Sequence, residues 1–417
     1  MADKKIKFLG VSVYKRKTAG NKKTTRVLGI PVLKRVEKNG KIRKYFLGIK
    51  YAKKRQNPPQ TPPKKTGYND KYYGLNNSKL NVVIKFSGGL GDLIIGWNYA
   101  KKLIQTYNDP NVCFYLSGVP KLLQVFDTSG VQRIFSDTDV PDNTTAFDVF
   151  IKVVRFPQIL RSNKKKVARF SDGLLDYIFA CEKFAVKYPR FFECGRTCDG
   201  QVNQIAKIWG KNRVQTPDVL DLFHIDDIEV NIPLPDKTPA DFGITQKFIT
   251  IHRGNDARQN KNCVKLWPMT YYRGLVQQLK KAYPDYTIVQ LGVSADRCPA
   301  IDGVDVNLVG KTTLSDVALL LKHSHLHIDA EGGFAHLRHT IHGGPSVVLF
   351  GPTDPVYYGY RENINLCSNA CSGCEWVREK WLESCVRGMS HPICMYTLTP
   401  DTVFQAIDES GVLNEKM

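Results

Sequence analysis

Asn81-Val82-Val83-Ile84-Lys85-Phe86-Ser87-Gly88-Gly89-Leu90-Gly91-Asp92 decides how the chain is read. Its first six residues, mostly β-branched or aromatic, predict a short buried strand, the glycines predict a tight turn, and residues 93–107 have helical spacing. A strand, a glycine turn and a helix in this order open a doubly wound sheet. Further strands are expected at 112–116 and 149–153. A second series starts at Phe248-Ile249-Thr250-Ile251, with strands at 287–291, 326–328 and 347–350 alternating with helices at 270–282 and 313–323. Two such series predict an α/β chain of two Rossmann-like domains facing a cleft, with ligands at the carboxyl ends of the strands. Residues 160–235 are helical in places, rich in aromatic and basic residues, and give no clean pattern.

The 417 residues, 42% of them hydrophobic, suffice for two α/β domains and argue against a single small binding module. The net charge of +21 is concentrated at one end. Residues 1–66 hold 21 Lys or Arg against Asp3 and Glu37, which leaves the rest nearly neutral. Phe8-Leu9-Gly10-Val11, Val27-Leu28-Gly29-Ile30 and Phe46-Leu47-Gly48-Ile49 repeat with their glycines 19 residues apart, and three short basic strands are expected from them. The reading divides the chain into a basic repeat extension (1–55), a proline-rich linker (56–66), an N-terminal domain (67–238) and a C-terminal domain (239–417). The extension suits an anionic inner-membrane surface first, nonspecific contacts second and nucleic acid least. With no apolar run of the about 18 residues a span needs and no apolar stretch in Met-Ala-Asp-Lys-Lys-Ile-Lys, a cytoplasmic protein is expected, peripheral on the inner membrane.

The first candidate site is the loop Ser87, Gly88, Gly89, Gly91 with Asp92. Its glycines admit a ligand close to the backbone, and Asp92 could take the proton from an attacking hydroxyl, or simply cap the helix. The second is Asp329-Ala330-Glu331-Gly332-Gly333-Phe334-Ala335-His336, where amides at a helix start favour a pyrophosphate. Glu331 suits sugar or ribose hydroxyls and His336 a phosphate; a plain glycine turn with a buried histidine is the competing reading. Arg253, just after a strand, and Lys265 in Lys265-Leu266-Trp267-Pro268 would offset charge on a departing diphosphate, or be ordinary surface cations.

Five of the eleven cysteines fall in residues 367–394. Cys371, Cys374, Cys385 and Cys394 have the spacing of a four-thiolate structural site for zinc or iron, with Cys367 as a spare; free thiols are the alternative and disulfides the least favoured. His336, His339 and His342 drift off one helix face and make a poor metal triad. Asp137-Thr138-Asp139 lacks the context of a metal-binding acidic pair.

From Asp329 through His342-Gly343-Gly344-Pro345 to Gly351-Pro352-Thr353-Asp354-Pro355, the sequence resembles the donor-binding signature of glycosyltransferase family 9. Leu90-Gly91-Asp92 and Lys265 to Pro268 match two further elements of that family, in its order. The resemblance covers roughly residues 80–410. It implies a GT-B fold and an inverting, metal-independent transfer of a sugar, heptose or a relative, from a nucleotide-diphosphate donor, commonly ADP-heptose. No catalytic cofactor is expected. The acceptor would be a surface glycan, a lipid-linked sugar such as lipopolysaccharide, or a protein. Asp92 becomes the expected general base, and Arg253, Lys265, Glu331, Gly332, Gly333, His336 and Thr353 the donor-site residues. Gly359-Tyr360-Arg361-Glu362-Asn363-Ile364-Asn365 and the cysteines after it look like the branch that glycosylates autotransporter proteins, whose members carry a cysteine-bound iron. Where the family usually has Asp followed by Ser or Thr, this chain has Glu331-Gly332. A nucleotide-sugar-binding or membrane scaffold protein is the reading outside enzymes.

Overall fold

The computed structural model describes six strands within residues 4–55, and residues 73–193, 199–253, 263–293, 298–378 and 381–414. The chain forms two units, Met1–Gly74 and Leu75–Met417.

In the first unit, β1 (Lys4–Phe8), β2 (Val11–Ala19), β3 (Lys22–Val27), β4 (Ile30–Lys38), β5 (Lys41–Phe46) and β6 (Ile49–Arg55) form one antiparallel sheet in sequential order. The expectation of three strands is corrected to six. Each repeat straddles a strand pair, with Phe8 opposite Val11, Val27 opposite Ile30 and Phe46 opposite Ile49. The basic runs between repeats, which looked like tails, are themselves strands. The linker expected at 56–66 lies outside the described residues.

The second unit holds two sheets. The first has β7 (Leu80–Phe86), β8 (Val112–Gly118), β9 (Val131–Ser136), β10 (Val149–Val153) and β11 (Pro157–Ser162) in the order β11-β10-β7-β8-β9. All its pairings are parallel except β10 with β11. The second has β12 (Phe248–His252), β13 (Thr287–Leu291), β14 (Val306–Asn307), β15 (Leu326–Ala330), β16 (Ser346–Phe350) and β17 (Ile364–Cys367), wholly parallel, in the order β14-β13-β12-β15-β16-β17. Counted within the sheet, this is the 3-2-1-4-5-6 order of the dinucleotide-binding fold. Every residue of β7, β8, β15 and β16 is buried, as expected of apolar runs covered on both faces.

These orders fix where ligands can sit. The strand order reverses between β7 and β10 in one sheet and between β12 and β15 in the other, and crevices form at such switch points. The Asp92 turn follows β7, and the Glu331 turn follows β15.

Seven helices matter here: α1 (Leu90–Thr106), α2 (Asp172–Lys187), α3 (Asp199–Ile208), α4 (Met269–Ala282), α5 (Leu314–His323), α6 (Gly333–Thr340) and α7 (Pro400–Ser410). The unassigned stretch 160–235 contains α2 and α3. Ser171 caps α2 by accepting from the Leu174 amide at 3.2 Å, and Thr313 caps α5 with Asp316 reaching back. Helix α6 has no side-chain cap, because its N-cap is Gly332. Helices α1 and α6 pack against each other, and Phe334, Leu337 and Ile341 share one core with Leu93, Ile94 and Ile84. Each such buried side chain contributes roughly 1.5–3 kcal/mol, so the contact joining the two sheets is part of the core.

Candidate active site between the two sheets

Asp92 caps its helix, one of the two sequence readings, and also meets two arginines. Its Oδ2 accepts from the Gly89 amide at 3.1 Å, which closes the first turn of α1. Its Oδ1 accepts from Arg213 Nη2 at 2.9 Å and from Arg155 Nη1 at 3.4 Å. Burial alone would raise the pKa of this carboxyl, but the charges of Arg213 and Arg155, with the donors on Arg213 and Gly89, outweigh it and hold it below its usual value. The side chain keeps 34% of its surface exposed, so an ionised oxygen remains approachable. Ser87 and Gly88 form the link from β7. Gly88 has φ +126, and a Cβ there would lie 2.2 Å from Asp92 Oδ2, so only glycine allows this carboxylate its position.

On the facing turn, the Glu331 carboxylate is ion-paired with Lys265. Burial works against both charges. Lys265 and His336 nevertheless keep Glu331 below its usual pKa, and Glu331 keeps Lys265 above its own. His336 Nδ1 stands 2.5 Å from the Tyr360 hydroxyl, and its Nε2 stands 3.9 Å from Glu331 Oε1. Burial depresses its pKa to about 4, so the imidazole is neutral near pH 7. Thr353, just past β16, is buried beside Glu331, and its hydroxyl adds to the contacts that hold Glu331 below its usual pKa. Asp329 at the end of β15 is held by His252 Nδ1, 3.0 Å from both carboxylate oxygens. Arg253 stands one residue beyond β12 and exerts its charge on Tyr272 and Cys298, so its place is beside β12 and not in the Lys265–Glu331 pair.

The two turns touch. A Cβ on Gly91 would lie 2.4 Å from His336 Cδ2, and one on Gly333 would lie 2.8 Å from Leu90 Cβ and 3.3 Å from the Gly91 nitrogen. Glycines on both sides therefore let two helix starts meet backbone to backbone. The carboxylate turn of one sheet and the uncapped helix of the other are thus in contact, with Asp92 near enough to act electrostatically on His336.

Several residues here carry no motif. Arg155 lies two residues past β10 and Arg213 in the connection after α3. Beyond Arg155, its Nη2 donates to the Tyr358 hydroxyl at 3.0 Å, and Asn203 Nδ2 of α3 donates to the same oxygen at 3.1 Å and to Glu375 Oε1. Glu375 follows Cys374 directly. Its burial, aided by Glu331, pushes its pKa up to about 7 against the pull of Arg155 and Lys265.

Cys371, Cys374, Cys385 and Cys394 are brought near one another. Burial pushes the Cys394 thiol up to about 12, reinforced by Cys371, Cys374 and Cys385, and raises Cys374, reinforced by Cys371 and Cys385. Among the described residues, no three His, Cys, Asp or Glu side chains are arranged to hold a metal ion, and all five cysteines of the loop are free. The histidine triad is not one: His339 is clasped instead between Asp227 Oδ1 at 2.6 Å and Glu362 Oε1 at 2.5 Å, and stacks on Tyr360. Asp137 offers its carbonyl to Lys85 Nζ at 3.1 Å, which pins the loop after β9.

Residues 228–384 match the model of glycosyltransferase family 9 (heptosyltransferase). This stretch is similar to that family. It contains Lys265, the Glu331 turn, Tyr358 and Glu375, and the match supports a glycosyltransferase. Solved structures share the GT-B fold. The glycosyl transferase family 9 protein from Veillonella parvula DSM 2008 superposes with a TM-score of 0.51 and 16% identity, covering 82% of this chain and 99% of that one. The bacterial iron-containing dodecameric glycosyltransferase TibC from enterotoxigenic E. coli H10407 gives 0.53 at 13% identity, covering 90% and 87%. TibC in complex with ADP-D-beta-D-heptose gives 0.53 at 15%, covering 88% and 81%. No curated protein sequence gives a significant match.

Proposed function

We propose that the chain transfers a sugar, heptose or a close relative, with inversion from a nucleotide-diphosphate donor to a hydroxyl acceptor. The observation that carries this is the contact of the Asp92 turn with the Glu331 turn, which sets a base candidate opposite a helix start suited to a pyrophosphate. The acceptor enters from the β7–β11 side, and ionised Asp92 takes its proton as the oxygen attacks the anomeric carbon. Lys265 and the amides at Gly333 offset charge on the leaving diphosphate, while neutral His336 can donate to a phosphate oxygen. Protein cations thus stand where a divalent ion would serve in other transferases. ADP-heptose is the first donor to test, since TibC was crystallised with it.

For the acceptor, a surface glycan or lipopolysaccharide is the first reading. A protein hydroxyl is the second, favoured by the gathered cysteines and the described iron content of TibC. Cys371, Cys374, Cys385 and Cys394 are a soft donor set that fits iron or zinc, and would hold it as a staple on their loop. The basic strands of the first unit suit an anionic inner-leaflet surface through their charge, and the cytoplasm is the matching compartment. Among the described residues, no helix is long and apolar enough to cross a membrane.

A screen of nucleotide sugars by thermal stabilisation tests the donor. ADP-heptose should raise the melting temperature more than ADP does. No shift with any nucleotide diphosphate or its sugars, and no release of nucleotide from them, would leave a noncatalytic scaffold as the better account.

A further inference from the structure

We infer that Glu375 is a positioning residue that holds Arg155 against Asp92 through Asn203 and Tyr358, tying the cysteine loop to the base candidate. The inference rests on the proposed role of Asp92 for its meaning, though not for its test. The links are continuous. Glu375 Oε1 accepts from Asn203 Nδ2, Tyr358 Oη accepts from Asn203 Nδ2 at 3.1 Å and from Arg155 Nη2 at 3.0 Å, and Asp92 Oδ1 accepts from Arg155 Nη1 at 3.4 Å. The members come from both sheets' sides. Arg155 and Asn203 precede the stretch that matches family 9, whereas Tyr358 and Glu375 lie within it.

Burial makes the chain of contacts directional. Asn203 and Glu375 are 3% and 6% exposed, so the amide has no water to fall back on if the carboxylate is removed. Its free Nδ2 would turn away from Tyr358. The Tyr358 hydroxyl, freed of Asn203, would no longer fix the Arg155 fork, whose Nε has no partner among the described residues. Arg213 is anchored independently, by its Nη2 to the Val154 carbonyl at 3.2 Å and by its amide to the Tyr357 carbonyl at 2.8 Å. Of the two cations on Asp92, Arg155 is therefore the adjustable one. The Glu375 amide also donates to the Pro352 carbonyl at 2.8 Å, which fixes the start of the cysteine loop beside Thr353. Distortion of that loop would move Glu375 and, through it, Arg155.

The test is the titration of Asp92 itself, read by carbon NMR of the full chain labelled at the aspartate carboxyl carbons and assigned by difference with Asp92→Asn. The charged groups facing Asp92 are Arg213, Arg155 and, when protonated, His336. Glu375→Ala should release Arg155 and raise the Asp92 midpoint, by about tenfold in proton affinity if the whole contact is lost. Tyr358→Phe, which removes one oxygen and no charge, should do the same, and the double variant should add little to either single one. Glu375→Gln keeps an acceptor for Asn203 and should restore the midpoint. Glu375, whose pKa is pushed up to about 7, is already neutral where Asp92 titrates, so its removal deletes no charge through space and a raised midpoint reports the lost contact alone. A lowered or unchanged midpoint in Glu375→Ala, or in Tyr358→Phe should the alanine variant not fold, overturns the inference. As no sugar is present, this outcome stands apart from whether the chain transfers one.

Discussion

Replacing Gly91 by Ala places one methyl group where the two halves of the site meet. Its Cβ would stand 2.4 Å from His336 Cδ2 and 3.1 Å from Nε2. Carbon atoms in contact prefer about 3.5–4.0 Å, so the turns must separate by roughly 1 Å or the histidine must move. His336 has little freedom: it is 5% exposed, and its Nδ1 is held at 2.5 Å by the Tyr360 hydroxyl. Tyr360 is in turn stacked on His339, with ring centroids 3.6 Å apart. Overpacking of this kind costs about 1–3 kcal/mol. A shift of about 1 Å between reacting groups can lower turnover by about a hundredfold. Urea unfolding of Gly91→Ala should therefore show a loss of that size, and release of ADP from ADP-heptose with acceptor should fall much more steeply than donor binding. Wild-type stability together with wild-type turnover would mean that the turns do not pack as described.

Three further outcomes are expected. The folded-state pKa of His336 is about 4, below the ordinary 6.5, so the unfolded chain binds more protons between these values. The stability contributed by the neutral imidazole is present above pH 6.5 and lost as the pH falls towards 4, by about 3 kcal/mol; His336→Asn should flatten that part of the stability profile, and an unchanged slope would refute the assignment. For His339 the sign reverses. Asp227 and Glu362 at its two nitrogens outweigh burial and raise its pKa, so its clasp adds stability that is full below the ordinary histidine pKa and lost as the pH rises through the raised value, a difference that His339→Gln should erase. Protein purified without added metal should hold iron or zinc by elemental analysis, and paired replacement of Cys371 and Cys374 by Ser should remove it; equal metal in that variant would count against the cysteine site.

The sequence exposed what local chemistry determines. Runs such as Val82-Val83-Ile84 have one outcome when covered on both faces, and glycines followed by an acidic residue mark the turn at which a strand becomes a helix. The Asp92 and Glu331 turns were legible for that reason. Strands β9 and β11 were not, because they are edge strands whose residues are largely half-exposed or exposed and lack an apolar run. The arginines on Asp92 were invisible for a different reason: Arg213 is 121 residues away along the chain, and Asn203 is 172 residues from Glu375. Nothing near such residues in sequence marks their role. In the basic extension the repeat was legible but the strand count was not, since a lysine-rich run reads as a solvated tail until its neighbours pair with it.

Asp92→Asn keeps the shape of the side chain and an oxygen for Arg213 while removing the base. If the facing turns form one transfer site, sugar transfer from ADP-heptose should drop by about 10²–10⁴-fold, the range for a lost general base, with thermal stabilisation by ADP-heptose unchanged. Transfer at the wild-type rate by Asp92→Asn would contradict the account.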